Sequence, residues 1–281
     1  KKLTVGSLFS GVGLCDLGLS WAGMRHAFFC EVDPFCRSVL AKHWSDVPIY
    51  NDVRSLNGAD LPHIDILCGG FPCQDVSQGG RRAGIKEGTR SGLWYEYSRL
   101  IGEIRPRYAI IENVRGLLSC GIEIVMRDLA ALGYDAEWEV LPAAALGAPH
   151  HRERVFIVAY PQVSGLTEGL GFLLRSNESW ESTSNLSAYL IGLEYGLTGR
   201  EKRPHGKHIA APSFIEWMMG VPEGWQTGGV KLLPRELVPI WTQRLKALGN
   251  GIVPQQSYAI AACILEAEEL SVPSIPYPLR A

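Results

Sequence analysis

The sequence lacks the features of a membrane protein, a secreted precursor or a nucleic-acid coat protein. No apolar run approaches the roughly 20 residues needed to span a bilayer. Glycines interrupt the N-terminal stretch KKLTVGSLFSGVG, where a signal peptide would need a longer apolar region and a cleavage site. The net charge of −2 argues against a protein that coats nucleic acid by overall charge, although a local basic cleft could still bind phosphates.

The sequence also lacks a Cys-x-x-Cys pair, and its seven cysteines are irregularly spaced. This pattern argues against a structural zinc site, so we expect no metal. Several of the cysteines lie in apolar stretches, where a thiol behaves as a small hydrophobic side chain. We therefore expect a reduced, cytoplasmic protein without disulfides.

Residues 1–160 alternate between short apolar runs and longer amphipathic stretches. Strands are predicted over 3–9, 24–31, 64–68, 108–112, 135–141 and 155–160. Helices are predicted over 14–22, 34–43, 93–104 and 122–132. Such alternation requires crossover connections, which predict an α/β fold whose mostly parallel sheet carries helices on both faces.

The character of the sequence changes after residue 160. Residues 161–212 are rich in Gly, Ser, Asn and Thr, and their periodicity is weak. Apolar and aromatic packing returns near residue 213, and 243–269 is predicted to be a turn followed by a final helix. We expect a first domain over 1–160, a small irregular domain over 161–239, and a C-terminal segment, 240–281, that returns to the first domain.

A glycine-rich turn, Phe9-Ser-Gly-Val-Gly13, follows the first predicted strand and opens the first predicted helix. Glycine lets a backbone approach a ligand closely, and a helix N-terminus favours negative charge. Glu31 stands at the end of the next strand, where an acid suits hydrogen bonds to ribose hydroxyls. The pattern favours a nucleoside-containing cofactor, and a turn without a ligand is the alternative.

A second acid, Asp52, follows the apolar residue Ile49. Ligands of open α/β sheets lie at the carboxyl ends of strands, where Asp52 could accept a hydrogen bond from an adenine amino group. Taken alone, the segment is better explained as a solvated turn.

Cys73 follows a short apolar strand in the segment Gly69-Gly-Phe-Pro-Cys-Gln74. The polar stretch 75–91 comes next, with four glycines before its last arginine. A structureless loop of that length inside a compact domain is usually functional. A thiolate at its base is placed to act as a nucleophile, and a basic loop suits a lid over nucleic acid. A buried structural thiol is the alternative, and the polar surroundings disfavour it.

The apolar strand 108–112 ends in Glu112 and is followed by Asn113. An acid at this sheet edge could hydrogen-bond the Watson–Crick edge of a base and share a proton with a ring nitrogen. The alternative, a helix-capping Asn beside a surface acid, is equally compatible with these residues alone.

The segment His150-His-Arg-Glu-Arg154 precedes the last predicted strand. Strand alternation predicts Arg152 and Arg154 on one face, where two guanidinium groups suit phosphate or base oxygens. The alternative is a salt-bridged strand start.

In this order, these segments resemble the DNA cytosine-5 methyltransferases of bacteria and phages. The resemblance covers most of residues 3–160 and again about 212–262, and it rests on Pro-Cys-Gln at 72–74, Glu-Asn-Val at 112–114 and Arg-x-Arg at 152–154. Residues 247–254, ALGNGIVP, look like the family's final motif, and 217–222, WMMGVP, are similar to a segment of phage members. This chain has His150 where the family commonly has glutamine, Leu14 where glycine is frequent, and Val221 where an aromatic residue is common.

The resemblance implies methyl transfer from S-adenosyl-L-methionine to carbon 5 of a flipped-out cytosine in a specific duplex DNA sequence, leaving S-adenosyl-L-homocysteine. It implies a Rossmann-like methyltransferase domain over 1–160 and a target-recognition domain over 161–239. The implied catalytic residues are Cys73, Glu112, Arg152 and Arg154. The implied cofactor residues are Phe9, Ser10, Gly11, Gly13, Leu14, Glu31, Val32, Asp52, Val53, Pro72, Leu93, Asn250 and Ile252. The implied nucleic-acid contacts are Gln74, Ser77, Arg81, Arg82, Arg90 and Arg203.

Two other functions remain open on the sequence. One is cytosine-5 methylation of RNA, which would use the same chemistry with a different recognition region. The other is a non-catalytic DNA-binding relic of the fold. The expected partner is double-stranded DNA, with a cognate restriction endonuclease acting separately, and a monomer is expected because one enzyme acts on one base.

Overall fold

The computed structural model describes residues 2–72, 85, 91–162, 201–202, 208–209, 212–222, 224–226 and 243–274. One sheet has seven strands in the order β3-β2-β1-β4-β5-β7-β6. The strands are β1 (Thr4–Leu8), β2 (Arg25–Cys30), β3 (Ile49–Tyr50), β4 (Ile66–Gly69), β5 (Tyr108–Val114), β6 (Tyr134–Leu141) and β7 (Arg154–Pro161). Two short strands, β8 (Glu201–Lys202) and β9 (His208–Ile209), pair separately.

The described helices are α1 (Leu14–Trp21), α2 (Pro34–His43), α3 (Trp94–Ile104), α4 (Leu117–Cys120), α5 (Ile122–Ala131), α6 (Pro212–Met218), α7 (243–250) and α8 (Pro254–Ala267). Short 3₁₀ turns cover Val53–Ser55, Gly58–Asp60, Ser91–Leu93 and Ala143–Leu146. No helix in the described part of the chain is long and apolar enough to cross a membrane.

The sheet is buried on both faces, as alternate residues of its central strands show. Leu67 and Ile111 pack with α3 and α5 on one face. Ile66 and Ile110 pack with α1 and α8 on the other. This arrangement confirms the predicted mixed α/β fold with helices on both faces.

Strand β7 runs in the opposite direction to both of its neighbours in the sheet. Strands β1 to β5 pair in parallel, whereas β7 runs antiparallel to both β5 and β6. The carboxyl ends of β1, β2, β4 and β5 therefore share one edge with the amino end of β7. Strands β1 and β4 are neighbours, with β2 and β3 on the far side of β1 and β5 on the far side of β4. Open α/β sheets bind ligands at the carboxyl ends of the strands where the strand order reverses in this way.

Several predicted boundaries shift for local reasons. The segment 243–269 contains two helices, α7 and α8, where a turn and one helix were predicted. The two-residue strand β3 was not predicted, because it is too short to show a period. β4 begins at Ile66 because the preceding Asp65 is tied to Thr4, whose backbone N–H and hydroxyl both donate to its carboxylate.

Helix α8 crosses α1 at very close range. A Cβ built on Gly18 of α1 would overlap the carbonyl oxygen of Pro254 and the hydroxyl of Ser257. That hydroxyl donates to the carbonyl of Cys15 at 2.8 Å. The close crossing holds the C-terminal segment against the helix that follows the glycine-rich turn.

Replacing Gly18 with alanine is expected to lower the free energy of unfolding by about 1–3 kcal/mol, because the new methyl group meets backbone that cannot move aside. The matched variant Gly102→Ala, in the last turn of α3, meets only the end of the Leu132 side chain, at 3.1 Å. It should change stability by less than about 1 kcal/mol. Urea unfolding of both variants measures the difference, and equal stabilities would refute the close crossing.

Candidate functional site

The glycine-rich turn after β1 adopts a backbone that few residues tolerate. Phe9, Gly11 and Gly13 have φ angles of 53°, 56° and 77°, in the left-handed region. A Cβ on Gly13 would lie 2.6 Å from the Trp44 ring, whereas Gly11 faces open space. The N–H of Ser10 donates to the carbonyl of Cys30 at 3.3 Å and fastens the turn to β2. A ligand can therefore approach the backbone at Gly11 without meeting a side chain.

Glu31 follows β2 directly and lies against this turn. Its carboxylate accepts the backbone N–H of Gly11 at 2.7 Å and that of Asp33 at 2.8 Å. Burial raises the pKa of Glu31, and the two backbone donors oppose the rise. The next side chain, Val32, is 70% exposed. The Glu31 carboxylate can accept further hydrogen bonds, and it stands beside the exposed apolar side chain of Val32. This combination suits a ribose and an adjoining flat base.

Asp52 has a partner that was not predicted. Its carboxylate accepts both the backbone N–H and the guanidinium group of Arg54, at distances from 2.6 to 3.1 Å. Arg54 therefore lowers the pKa of Asp52. The neighbouring Val53 side chain is buried in the core, so only its backbone is available to a ligand.

The predicted cofactor residues do not all present side chains to one surface. Leu14 and Ile252 are buried in the core, whereas Asn250 is exposed. A Cβ on Gly251 would lie 2.5 Å from the Leu14 side chain, so the turn between α7 and α8 packs directly on the first turn of α1. Leu93 and Pro72 are partly buried. Leu14, Val53 and Ile252 are thus placed to support the site rather than to line it with side chains.

Glu112 and Arg154 form an ion pair at the ligand-binding edge. The Nε of Arg154 lies 2.9 Å from the Glu112 carboxylate, and the two side chains are 13% and 16% exposed. Arg154 is opposite Val114 in the β5–β7 ladder, so it shares a face with Glu112 two residues along. Glu112 lies within β5 rather than at its predicted end.

The backbone of Gly70 approaches the Glu112 carboxylate closely, and a Cβ at this glycine would overlap it. Burial raises the pKa of Glu112, while the positive charges of Arg154 and Arg152 oppose that rise. A carboxyl in this setting can hold a proton near neutral pH more readily than an exposed one, which suits proton sharing with a ligand.

Asn113 has a structural role that sequence reasoning missed. It is 2% exposed, and its side-chain amide donates to the carbonyl of Phe71 at 3.1 Å. This bond ties the chain just before Pro72 to β5, beside Glu112. The alternative of a helix-capping Asn beside a surface acid is therefore wrong for this residue pair. The polar Asn within an apolar strand was the available signal.

Arg152 and Arg154 line the same cavity, but strand alternation is not what brings them together. Arg152 precedes β7 and has a φ of 31°, so strand periodicity does not extend to it. Its guanidinium group donates to the carbonyl oxygens of Gly249, at 2.7 Å, and Gly251. Burial lowers its pKa to about 10, which leaves it charged at neutral pH. In this structure Arg152 fastens the turn between α7 and α8.

A cavity of about 520 Å³ adjoins this arginine pair. His150, Arg152 and Arg154 line one part of it, and apolar side chains of α6 and α7 line the rest. The Nε2 of His150 donates to the carbonyl of Met218 at 3.0 Å, and burial lowers the pKa of this histidine. The cavity is thus a mixed surface, apolar on the helices and basic on the strand edge.

The remaining predicted site residues lie outside the described residues. They are the nucleophile candidate Cys73 and the nucleic-acid candidates Gln74, Ser77, Arg81, Arg82, Arg90 and Arg203.

Comparison with known proteins identifies relatives of this chain. Residues 3–190 match the family model described as C-5 cytosine-specific DNA methylase. The Type II methyltransferase M1.ScrFI of Lactococcus lactis subsp. cremoris is 33% identical over 94% of this chain and 78% of its own. The Type II methyltransferase M2.BsuMI of Bacillus subtilis (strain 168) is 38% identical over 56% of this chain and 42% of its own. The match to M2.BsuMI therefore spans less than half of that relative's length.

Two solved structures share the fold. A putative DNA modification methyltransferase encoded within an E. coli prophage has a TM-score of 0.64 at 16% identity, covering 95% of this chain and 100% of its own. The Dnmt2 methyltransferase of S. pombe has a TM-score of 0.66 at 14% identity, covering 96% of this chain and 100% of its own.

Removing the guanidinium group from Arg154 should raise the pKa of Glu112 further. Arg154→Met removes the largest opposing influence, so the carboxyl should take up its proton at higher pH than in the unmodified protein. NMR titration of ¹³C-labelled glutamate carboxyls measures this shift. Arg115→Met is the matched control, because Arg115 pairs with Glu153 at the surface. A Glu112 pKa that stays the same or falls in Arg154→Met would contradict the geometry.

Proposed function

The chain belongs to the C-5 cytosine-specific DNA methylase family, and we propose that it transfers a methyl group from S-adenosyl-L-methionine to carbon 5 of cytosine in duplex DNA. The observation that carries this proposal is the partly buried Glu112–Arg154 pair, which stands at the same sheet edge as the glycine-rich turn and Glu31. A base bound at the pair and a nucleoside cofactor bound at the turn would meet over the carboxyl ends of β1, β4 and β5.

The residues at the turn fit S-adenosyl-L-methionine. Gly11 leaves its backbone open, Glu31 can accept hydrogen bonds from ribose hydroxyls, and the exposed Val32 offers an apolar surface to adenine. Phe9, Ser10 and Gly13 shape the turn, and Asn250 would lie towards the amino-acid end. When bound, the cofactor supplies an electrophilic methyl group on a sulfonium sulfur.

Cys73 is the proposed nucleophile, assigned from its sequence position after Pro72. Its thiolate would add to C6 of cytosine, which makes C5 nucleophilic towards a methyl group. Loss of the proton from the methylated C5 then restores the ring double bond and expels the thiolate. Asn113 supports this role indirectly, because its bond to Phe71 fixes the chain just before Cys73 beside Glu112.

Glu112 would contact N3 and the exocyclic amine of the cytosine. As thiolate addition places negative charge on the ring, the raised pKa of Glu112 favours a shared proton at N3. Arg154 would keep the carboxyl oriented and contact the cytosine oxygen. Arg152 holds the turn of Gly249 and Gly251, so its contribution to catalysis would be positional.

The DNA-binding part of the proposal rests on sequence. The target base must leave the duplex to reach Glu112, so base flipping is implied. Residues 161–239 would form the target-recognition domain, and Gln74, Ser77, Arg81, Arg82, Arg90 and Arg203 would contact the nucleic acid. We expect a cytoplasmic monomer that recognises one DNA sequence. A separately acting restriction endonuclease would be its cellular counterpart.

The first test mixes the protein with S-adenosyl-L-methionine and duplex DNA that carries 5-fluorocytosine. Fluorine cannot leave C5 as a proton does, so a complex that survives denaturant should accumulate. Cys73→Ser should abolish it, and Glu112→Gln should slow its formation about 100-fold or more. The partly exposed Cys120 offers the control Cys120→Ser, which should behave as the unmodified protein.

The outcomes separate the alternatives. A complex on structured RNA but not on DNA would replace DNA with RNA as the substrate. Cofactor binding without a complex on either nucleic acid would favour a non-catalytic relic.

Glu31→Gln should weaken cofactor binding about tenfold or more, because a charged acceptor of ribose hydroxyls is lost while the side-chain shape is kept. Isothermal titration with S-adenosyl-L-homocysteine measures the dissociation constant. Glu123→Gln, on the exposed face of α5, is the matched control and should leave the constant unchanged. Equal affinities in the two variants would remove Glu31 from the cofactor site.

A further inference from the structure

A segment within the predicted recognition domain packs against the elements of the glycine-rich turn. We call residues 215–222 and 224–226 the docking segment. Its apolar side chains share one buried cluster with the first turns of α1 and with α2. The cluster includes Val12, Leu14, Leu17, Cys36, Val39, Met219, Val221 and Trp225. The docking segment is therefore continuous with the core beneath the proposed cofactor turn.

Trp225 makes the most direct of these contacts. Its indole N–H donates to the carbonyl of Val12 at 2.9 Å, between the two left-handed glycines of the turn. Its ring, 6% exposed, stacks on His43 with centroids 3.6 Å apart and meets Trp44 edge-on at 5.6 Å. Trp44 in turn fills the space that a side chain at Gly13 would need.

The backbone around Trp225 is itself held in place. The Lys42 ammonium donates to the carbonyl of Gly224 at 2.9 Å, and the Nε2 of His43 donates to that of Trp225 at 2.8 Å. On the other side, the buried Glu216 carboxylate accepts the N–H groups of Gly224, at 3.1 Å, and Gln226, at 2.8 Å. The indole is thus fixed from two directions, so it can hold the Val12 carbonyl in one orientation.

The turn needs such support. Its left-handed residues include Phe9, whose side chain makes that conformation unfavourable. Such conformations persist only where the surrounding structure holds them in place. A hydrogen bond to the Val12 carbonyl stabilises the same backbone whose open face at Gly11 would receive the cofactor.

We propose that Trp225 is a positioning residue that pre-organises the glycine-rich turn, so that packing of the docking segment against it sets the affinity for S-adenosyl-L-methionine. This inference rests on the proposed function, because it takes the turn to be the cofactor site. By linkage, cofactor binding stabilises the docking segment by the same factor. The docking segment, which lies within the predicted recognition domain, is thereby coupled to the proposed cofactor site through one indole.

The test compares Trp225→Phe with the unmodified protein. Phenylalanine keeps an aromatic ring against His43 and Trp44 but removes the donor to Val12. We expect the dissociation constant of S-adenosyl-L-homocysteine to rise about 3- to 10-fold in isothermal titration. Hydrogen exchange of the amides at residues 10–17 should also become faster without ligand. Trp138→Phe, at an exposed position on the edge strand β6, should change neither.

The outcomes distinguish this inference from the proposed function. If the unmodified protein does not bind S-adenosyl-L-homocysteine, the cofactor assignment itself fails. If it binds and a folded Trp225→Phe binds equally well, with unchanged exchange at 10–17, the inference is overturned.

A measurement on the unmodified protein covers the case in which the variant does not fold. S-adenosyl-L-homocysteine should slow amide exchange at Gly224 and Gln226, and leave the β6 amides near Trp138 unaffected. Unchanged exchange at Gly224 and Gln226 in the presence of bound ligand overturns the inference.

Discussion

The antiparallel direction of β7 is the constraint on which the candidate site depends. Because β7 runs against its neighbours, its first residue, Arg154, reaches the edge where β1, β2, β4 and β5 end. A parallel strand would have carried this arginine to the opposite edge, far from Glu112. The ion pair then requires a glycine at position 70, since any side chain there would overlap the Glu112 carboxylate.

The charged side chains of Glu112, Arg152 and Arg154 are largely shielded from water. Burial raises the pKa of Glu112 and lowers that of Arg152, so each charged form depends on the other charges around it. Arg154 pairs with the carboxylate, and the Arg152 guanidinium group is satisfied by backbone carbonyls of the α7–α8 turn. Removing one partner of a buried ion pair commonly costs about 3–5 kcal/mol, because the remaining charge is left poorly compensated.

The C-terminal part of the chain completes the first domain. α8 crosses α1 at Gly18, the turn at Gly251 packs on Leu14, and Trp225 bonds to Val12. These contacts join segments more than 200 residues apart in sequence, and all of them converge on the helix and turn proposed to hold the cofactor. The turn proposed to hold the cofactor is therefore physically connected to residues 224–226, within the predicted recognition domain, and to the C-terminal helices.

The local sequence determined most of the helices and strands and the types of side chain available to the candidate site. Periodicity predicted α2 and most strand positions, and residue types at motif positions predicted the places of Glu31 and Arg154. Only the tertiary structure decided which groups meet. The β7 reversal paired Arg154 with Glu112, a positive φ removed Arg152 from the strand pattern, and Asn113 and Trp225 found backbone partners on distant segments. Periodicity describes one element at a time, whereas these contacts depend on how separate elements pack.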